Sequence, residues 1–213
     1  MEFKGFKILD GDKKIMISAP HAVEQTREGR IKFAEKETAI IAESLNKQGY
    51  PVIIKTENLG DDANYDAVSP YKDEMIAYCK EKKIEFVIDL HQLSDARPMD
   101  FCLCTGGISN SNLLGHDGIL DKLKEYAKDH YFYVEINNPY SAVKDTNISK
   151  NCANHYIPAL QIEINNKLVL NYTENVNFNF AYDFVSYACE AVEEEMSNEN
   201  NINKQCEFQL GEN

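Results

Sequence analysis

Arginine is scarce in this chain. Its 213 residues include 22 basic and 35 acidic side chains, which give a formal net charge of -13, and only three of the basic residues are arginine. Nucleic acids and anionic membranes bind to basic protein faces. We therefore expect neither as a partner, although a small anionic substrate remains compatible with this charge. Nothing in the sequence indicates an oligomeric state.

Long apolar runs and paired cysteines are also missing. No stretch of about 18 or more apolar residues could span a bilayer. The six cysteines contain no CxxC pair, so a cysteine-rich zinc site is disfavoured and a metal would be held by histidine and carboxylate. The first eight residues lack a secretory signal pattern, so we expect a cytoplasmic protein with reduced thiols.

The sequence also lacks internal repeats and linkers rich in Pro, Gly or Ser. We therefore predict a single domain over residues 1–196. Residues 197–213 are rich in Asn, Glu and Gln, and we predict a flexible C-terminal tail there.

Strand-like apolar runs alternate with helical patterns along this domain. The predicted strands are 14–19, 51–55, 84–90, 101–104, 131–136 and 157–164, and the predicted helices are 34–48, 71–83, 112–129 and 176–196. Such alternation is typical of βαβ units. The sequence predicts an α/β fold with three αβα layers and a mixed, largely parallel sheet.

Two histidines follow strong predicted strands. His21 comes directly after the first of these, with Glu24 three residues later, and His91 ends the DLH segment. Ligand sites in open α/β sheets gather at the carboxyl ends of strands. Two imidazoles and one carboxylate form a catalytic zinc set, so His21, Glu24 and His91 are the predicted ligands of one zinc ion, or of another divalent metal. Asp89 shares a strand face with His91 and is the predicted orienting partner of a histidine ligand.

Glu163 is a carboxylate within the apolar run IPALQIEI. Burying such a group is costly unless it is paired or protonated. A general base next to a metal would have such a place, because it can take a proton from water and pass it to a departing amine. A polar face on an edge strand would explain Glu163 equally well.

All three arginines lie near the predicted ligands in the sequence. Arg27 and Arg30 follow His21 within nine residues, and Arg97 follows His91 by six. The planar guanidinium group suits carboxylate binding better than lysine does. We therefore expect at least one of the three to bind an anionic substrate, with plain salt bridges as the alternative.

Three segments together resemble the N-formylglutamate amidohydrolase family, which has a zinc-carboxypeptidase-like fold. They are SAPHAVEQTREG, VIDLHQLSDARPMDF and ALQIEIN. The resemblance assigns His21, Glu24 and His91 to the metal and Glu163 to the general base. It also places Arg97 near the substrate, and it places Asn64, from the segment GDDANYD, near the site.

This resemblance implies a zinc-dependent hydrolase that cleaves the amide bond of a small N-acyl amino acid such as N-formyl-glutamate. Two alternatives remain open at this point. One is a metallocarboxypeptidase or a γ-glutamyl peptide hydrolase with the same fold. The other is a binding module that has kept the fold without catalysis.

Overall fold

A seven-stranded sheet forms the centre of the protein. The structure, a computed structural model, describes the backbone of residues 5–210 and the side chains of residues 5–198. In chain order, the strands are β1 (Phe6–Leu9), β2 (Ile15–Ala19), β3 (Gln25–Arg27), β4 (Arg30–Lys32), β5 (Val52–Lys55), β6 (Phe86–Leu93), β7 (Phe101–Cys104), β8 (Val134–Ile136) and β9 (Ala159–Asn165). The helices are α1 (Lys36–Asn46), α2 (Pro70–Lys82), α3 (Gly118–Asp129), α4 (Ile148–Asn154), α5 (Asn166–Val169) and α6 (Phe178–Leu210).

The sheet is mixed and largely parallel. Its strand order is β1-β5-β2-β6-β9-β7-β8. The pairs β5–β2, β2–β6, β6–β9 and β7–β8 are parallel, whereas β1–β5 and β9–β7 are antiparallel. Strands β3 and β4 form a separate hairpin. The three central strands β2, β6 and β9 therefore end at the same edge of the sheet.

Helices cover both faces of this sheet. Ile41 of α1, Leu123 of α3 and Phe184 of α6 belong to one buried apolar cluster on the first face. Met75 of α2 and Cys152 of α4 belong to a second cluster on the other face. Strands covered on both faces need near-continuous apolar sequence, as in IMISA of β2. The predicted three-layer α/β fold is confirmed.

Every predicted strand and helix is present, but some boundaries differ. Helix α3 begins at Gly118, six residues later than predicted, because Leu114 and Gly115 have positive φ angles of 51° and 102° that a helix cannot contain. The prediction missed β1, the β3–β4 hairpin, α4 and α5. All of these elements are short, and none contains a long run of periodically spaced apolar residues.

Helix α6 continues to Leu210 and so includes most of the segment that we predicted as a flexible tail. Its flexibility stays a prediction, and residues 211–213 lie outside the described residues. Among the described side chains, five cysteines are buried and unpaired. In the part of the chain that the structure describes, no helix is long and apolar enough to cross a membrane.

Candidate metal centre

Three strand ends bring the predicted site residues to one cavity. His21 follows β2, His91 lies near the end of β6, and Glu163 lies near the end of β9. The parallel register of β6 and β9 pairs His91 directly with Glu163. All three side chains line a cavity of about 390 Å³. The sheet edge predicted from the sequence is therefore where these side chains meet.

The two histidines face each other through their Nδ1 atoms, which are 3.0 Å apart. Their rings lie edge to face, with centroids 4.7 Å apart and an angle of 67° between the planes. Only 1% of His21 and 2% of His91 is exposed. The two nitrogen atoms are therefore largely shielded from bulk water.

Glu35 completes the cluster. Its Oε1 lies 3.4 Å from Nδ1 of His21, and its Oε2 lies 3.2 Å from Nδ1 of His91. The backbone N–H of Glu35 donates to the carbonyl of His21 at 2.7 Å, and the N–H of Gln92 donates to Oε2 at 3.1 Å. Candidate ligand atoms of His21, Glu35 and His91 all lie within 4.8 Å of one another.

A buried aspartate holds the outer nitrogen of each histidine. Nε2 of His21 is 2.8 Å from Oδ1 of Asp62, and Nε2 of His91 is 3.0 Å from Oδ2 of Asp89. An ionised carboxylate can only accept a hydrogen bond, so each Nε2 carries the proton and donates it. With both rings neutral, each Nδ1 presents a lone pair to the other and to Glu35. This contact calls for positive charge between the rings, carried either by a proton on one imidazole or by a metal ion.

The charges around the cluster agree with this requirement. Burial acts to raise the pKa of Glu35, but the imidazoles of His21 and His91 together outweigh it and hold that pKa well below its usual value. Burial acts to lower the pKa of His91, but the neighbouring Asp89 and Glu35 raise it well above its usual value. The cluster thus stabilises positive charge at its centre, even though it is buried.

These donors fit a divalent metal such as zinc. Two imidazole nitrogens and one carboxylate are a donor set of catalytic zinc sites, which leave a coordination position open. Carboxylates that fix the second nitrogen of each histidine are the usual outer partners of such ligands. Asp89 therefore lies where we predicted it, and Asp62 provides the same contact for His21.

The structure places Glu35, and not the predicted Glu24, beside the two histidines. Glu24 is exposed and lines a separate depression beside Phe33, away from the cluster. The β3–β4 hairpin carries the chain out after Glu24 and returns it so that Glu35 bonds to His21. The HxxE spacing thus pointed to a glutamate that lies apart from the two histidines in the structure. No local motif marks Glu35, which lies 14 residues after His21 at the start of α1.

The three arginines do not present free groups to the cavity. Arg27 lines it, but its Nε and Nη2 both donate to Oδ2 of Asp62, at 3.0 and 2.7 Å. Arg30 and Arg97 are exposed and do not line this cavity. Arg27 therefore forms a salt bridge, and its partner is Asp62.

Asn64 does lie at the site, as the resemblance implied. Its Nδ2 is 3.3 Å from Nε2 of His91, and its Oδ1 accepts a hydrogen bond from the backbone N–H of Ile148 at 2.8 Å. It lines the cavity and ties its wall to the start of α4.

Lys144 lines the cavity and was not predicted from the sequence. Lys32 also lines the cavity, but it is paired with Glu35. Lys144 forms no ion pair with any described residue, and its Nζ lies 6.0 Å from the ring centroid of Tyr65. No sequence signal distinguished it from the other lysines of the chain.

Glu163 is 7% exposed and has one direct hydrogen-bond donor among the described residues, Nε2 of Gln161, at 2.7 Å from Oε1. Burial raises the pKa of Glu163 to about 8, against the attraction of His91. Glu163 is not on an edge strand, because β9 lies between β6 and β7. The polar-edge alternative for this residue is therefore wrong.

Neither a known family model nor a curated protein sequence matches the chain. Solved structures do match its fold. An N-formylglutamate amidohydrolase from Ralstonia eutropha superposes with a TM-score of 0.61 at 11% identity, covering 93% of this chain and 100% of that one. The gene product Atu2144 from Agrobacterium tumefaciens has a TM-score of 0.62 at 13% identity, covering 90% and 97%.

A bacteriophage poly-gamma-glutamate hydrolase matches with a TM-score of 0.52 at 14% identity, covering 93% of this chain and 91% of that one. At these identities the likeness concerns the fold alone. The chain therefore shares its α/β fold with N-formylglutamate amidohydrolase and poly-gamma-glutamate hydrolase structures, as its sequence resemblance implied.

Proposed function

We propose that this protein is a zinc-dependent hydrolase that cleaves the amide bond of a small N-acyl amino acid, such as N-formyl-glutamate. The observation that carries the proposal is the buried meeting of two histidine Nδ1 atoms with Glu35, while each Nε2 is held by an aspartate. The shared fold with an N-formylglutamate amidohydrolase supports the substrate class.

The metal would be held by Nδ1 of His21, Nδ1 of His91 and the carboxylate of Glu35. When bound there, it would supply Lewis-acid polarisation of the amide carbonyl and of a water molecule. The chain's own part is to hold these three ligands in a buried, hydrogen-bonded arrangement. Asp62 and Asp89 do this by fixing the tautomer and the ring orientation of the histidines.

Glu163 is the proposed general base. It lines the same cavity and is the register partner of His91, so its carboxylate lies on the ligand side of the sheet. Its carboxylate would take a proton from water as the water oxygen bonds to the amide carbon. It would then return the proton to the amine nitrogen as the C–N bond breaks, which yields a carboxylic acid and a free amine.

Lys144 is the proposed partner of the side-chain carboxylate of the substrate. Arg27 and Lys32 also carry positive charge in this cavity, but buried acids already neutralise them. Lys144 has no acidic partner among the described residues, so its ammonium group is available to pair with a ligand carboxylate. The rim of the cavity thus favours an anionic amino acid product or substrate, although the protein surface is strongly acidic.

Metal removal and a substrate series test this proposal. The purified protein should contain about one zinc ion per chain by elemental analysis. It should hydrolyse N-formyl-glutamate, lose this activity on chelation and regain it when zinc is added. C-terminal peptide substrates and γ-glutamyl peptides form the comparison arms, because the poly-gamma-glutamate hydrolase shares the fold. A protein that binds no zinc and cleaves none of these amides would refute the proposal.

A charge-removing variant tests the role of Lys144. Lys144→Met should raise KM for N-formyl-glutamate by about 10-fold or more, because a charge-assisted contact is lost, with kcat little changed. Lys47→Met, at the exposed C-terminal end of α1, is the control and should behave like the wild type. A substrate whose side-chain carboxylate is replaced by an amide should be cleaved equally by all three proteins. An unchanged KM in Lys144→Met would exclude this residue as the carboxylate partner.

A further inference from the structure

Two buried amide side chains, Asn147 and Gln161, form a hydrogen-bond chain that ends at the proposed base, Glu163. Nδ2 of Asn147 donates to Oε1 of Gln161 at 2.6 Å, and Nε2 of Gln161 donates to Oε1 of Glu163 at 2.7 Å. The three side chains are 8%, 3% and 7% exposed, respectively. Two further polar side chains are thus buried next to Glu163, and the reaction described above does not use them.

The direction of each hydrogen bond in this chain is determined by its first member. Oδ1 of Asn147 accepts from the backbone N–H groups of Ser149 and Lys150 at the start of α4, at 2.9 and 3.3 Å. Its Nδ2 must therefore point to Gln161, which must accept there through Oε1. Nε2 of Gln161 is then left to face Glu163. No amide in the chain can be reversed without losing a hydrogen bond.

This hydrogen-bond chain donates to only one oxygen of Glu163, Oε1. No described residue donates a hydrogen bond to Oε2, so that oxygen is available to a water molecule in the cavity. The backbone of Glu163 has little freedom, because β9 is paired with His91 of β6 on one side and with Cys102 of β7 on the other. The orientation of its carboxylate therefore depends on Gln161.

We propose that Gln161 and Asn147 are positioning residues that hold Oε1 of Glu163 and leave Oε2 to accept the proton of the reacting water. This inference rests on the proposed function, because it assigns the geometry of the base in that reaction. It requires Gln161 to act as a hydrogen-bond donor, and it requires Asn147 to keep Gln161 in that orientation.

Two variants break this hydrogen-bond chain and should leave the protein folded. Gln161→Met has a similar length but cannot donate to Glu163. Asn147→Asp still caps α4, because aspartate is as good an N-cap as asparagine. The introduced carboxylate cannot donate to Gln161, so the Gln161 amide turns to donate to that carboxylate and presents its oxygen to Glu163. The carboxylate of Glu163 is then repelled from its position.

The expected result for each variant is a loss of about 10- to 100-fold in kcat for N-formyl-glutamate, a fraction of what a general base contributes. KM and zinc content should stay close to wild type, and the thermal unfolding midpoint should fall by only a few degrees, because buried hydrogen-bonding groups lose a partner. The double variant should be no slower than Gln161→Met alone, because the two residues act through one chain. A purely structural role would instead lower the unfolding midpoint while the folded protein kept the wild-type kcat.

The outcomes separate this inference from the proposed function. Wild-type turnover in Gln161→Met would overturn the positioning role while the hydrolase proposal stands, provided that Glu163→Gln is impaired. Loss of zinc in either variant would also overturn it, since the residues would then support the metal site. A wild-type protein without amidase activity would refute the proposed function and this inference together.

Discussion

Replacing Glu163 by Gln should reduce kcat by roughly 10²- to 10⁴-fold, the usual contribution of a general acid or base. Glutamine keeps the size of the side chain, and its Oε1 can still accept the hydrogen bond from Gln161. Its amide cannot take up a proton from water. The loss should therefore appear in turnover, with zinc content and KM little changed.

The measurement is steady-state hydrolysis of N-formyl-glutamate together with elemental analysis of zinc. Glu24→Gln is the matched control, because it makes the same substitution at an exposed position outside the cavity. If Glu163→Gln kept its zinc and turned over at the wild-type rate, another group would have to be the base.

Replacing Glu35 by Gln should lower zinc affinity by more than about 100-fold. Outer partners of metal ligands already contribute about 10- to 100-fold when they are mutated, and Glu35 is proposed as a direct ligand. Glutamine can still accept the backbone hydrogen bond from Gln92. It does not supply the negative charge that offsets the cation between His21 and His91. Activity should fall in parallel with the bound metal.

Glu24→Gln again serves as the control, and here it distinguishes the two candidate carboxylates directly. Zinc titration of both variants should show weak binding only for Glu35→Gln. A thermal unfolding measurement should show that this variant is still folded. Loss of zinc binding in Glu24→Gln, with normal binding in Glu35→Gln, would restore the ligand set expected from the HxxE spacing.

The strands that build the site were predictable from short-range pattern. The segments KIMISA, IEFVIDL and IPALQIEI are apolar enough to be central strands, and each became one. Because the carboxyl ends of parallel strands meet at one edge, His21, His91 and Glu163 could be expected together before the fold was known. The pairing of His91 with Asp89 followed from the two-residue period of a strand.

The third proposed ligand and the unpaired cation of the cavity could not be predicted in this way. The position of the carboxylate at the proposed metal site depends on a hairpin of two three-residue strands, which returns Glu35 to His21 and leaves Glu24 in solvent. Such short strands carry almost no periodic signal. Arg27 was near the site in sequence and in space, but Asp62, 35 residues away, takes both of its hydrogen bonds.

Apolar periodicity and strand ends are properties of neighbouring residues, and they determined the fold class, the edge of the sheet that carries the site, and two of its three proposed ligands. Hydrogen bonds between distant loops are not encoded in local spacing. They placed Glu35 rather than Glu24 beside the histidines. They paired Arg27 and Lys32 with acids but not Lys144, the third cation that lines the cavity, and they placed Asn147 and Gln161 behind the proposed base.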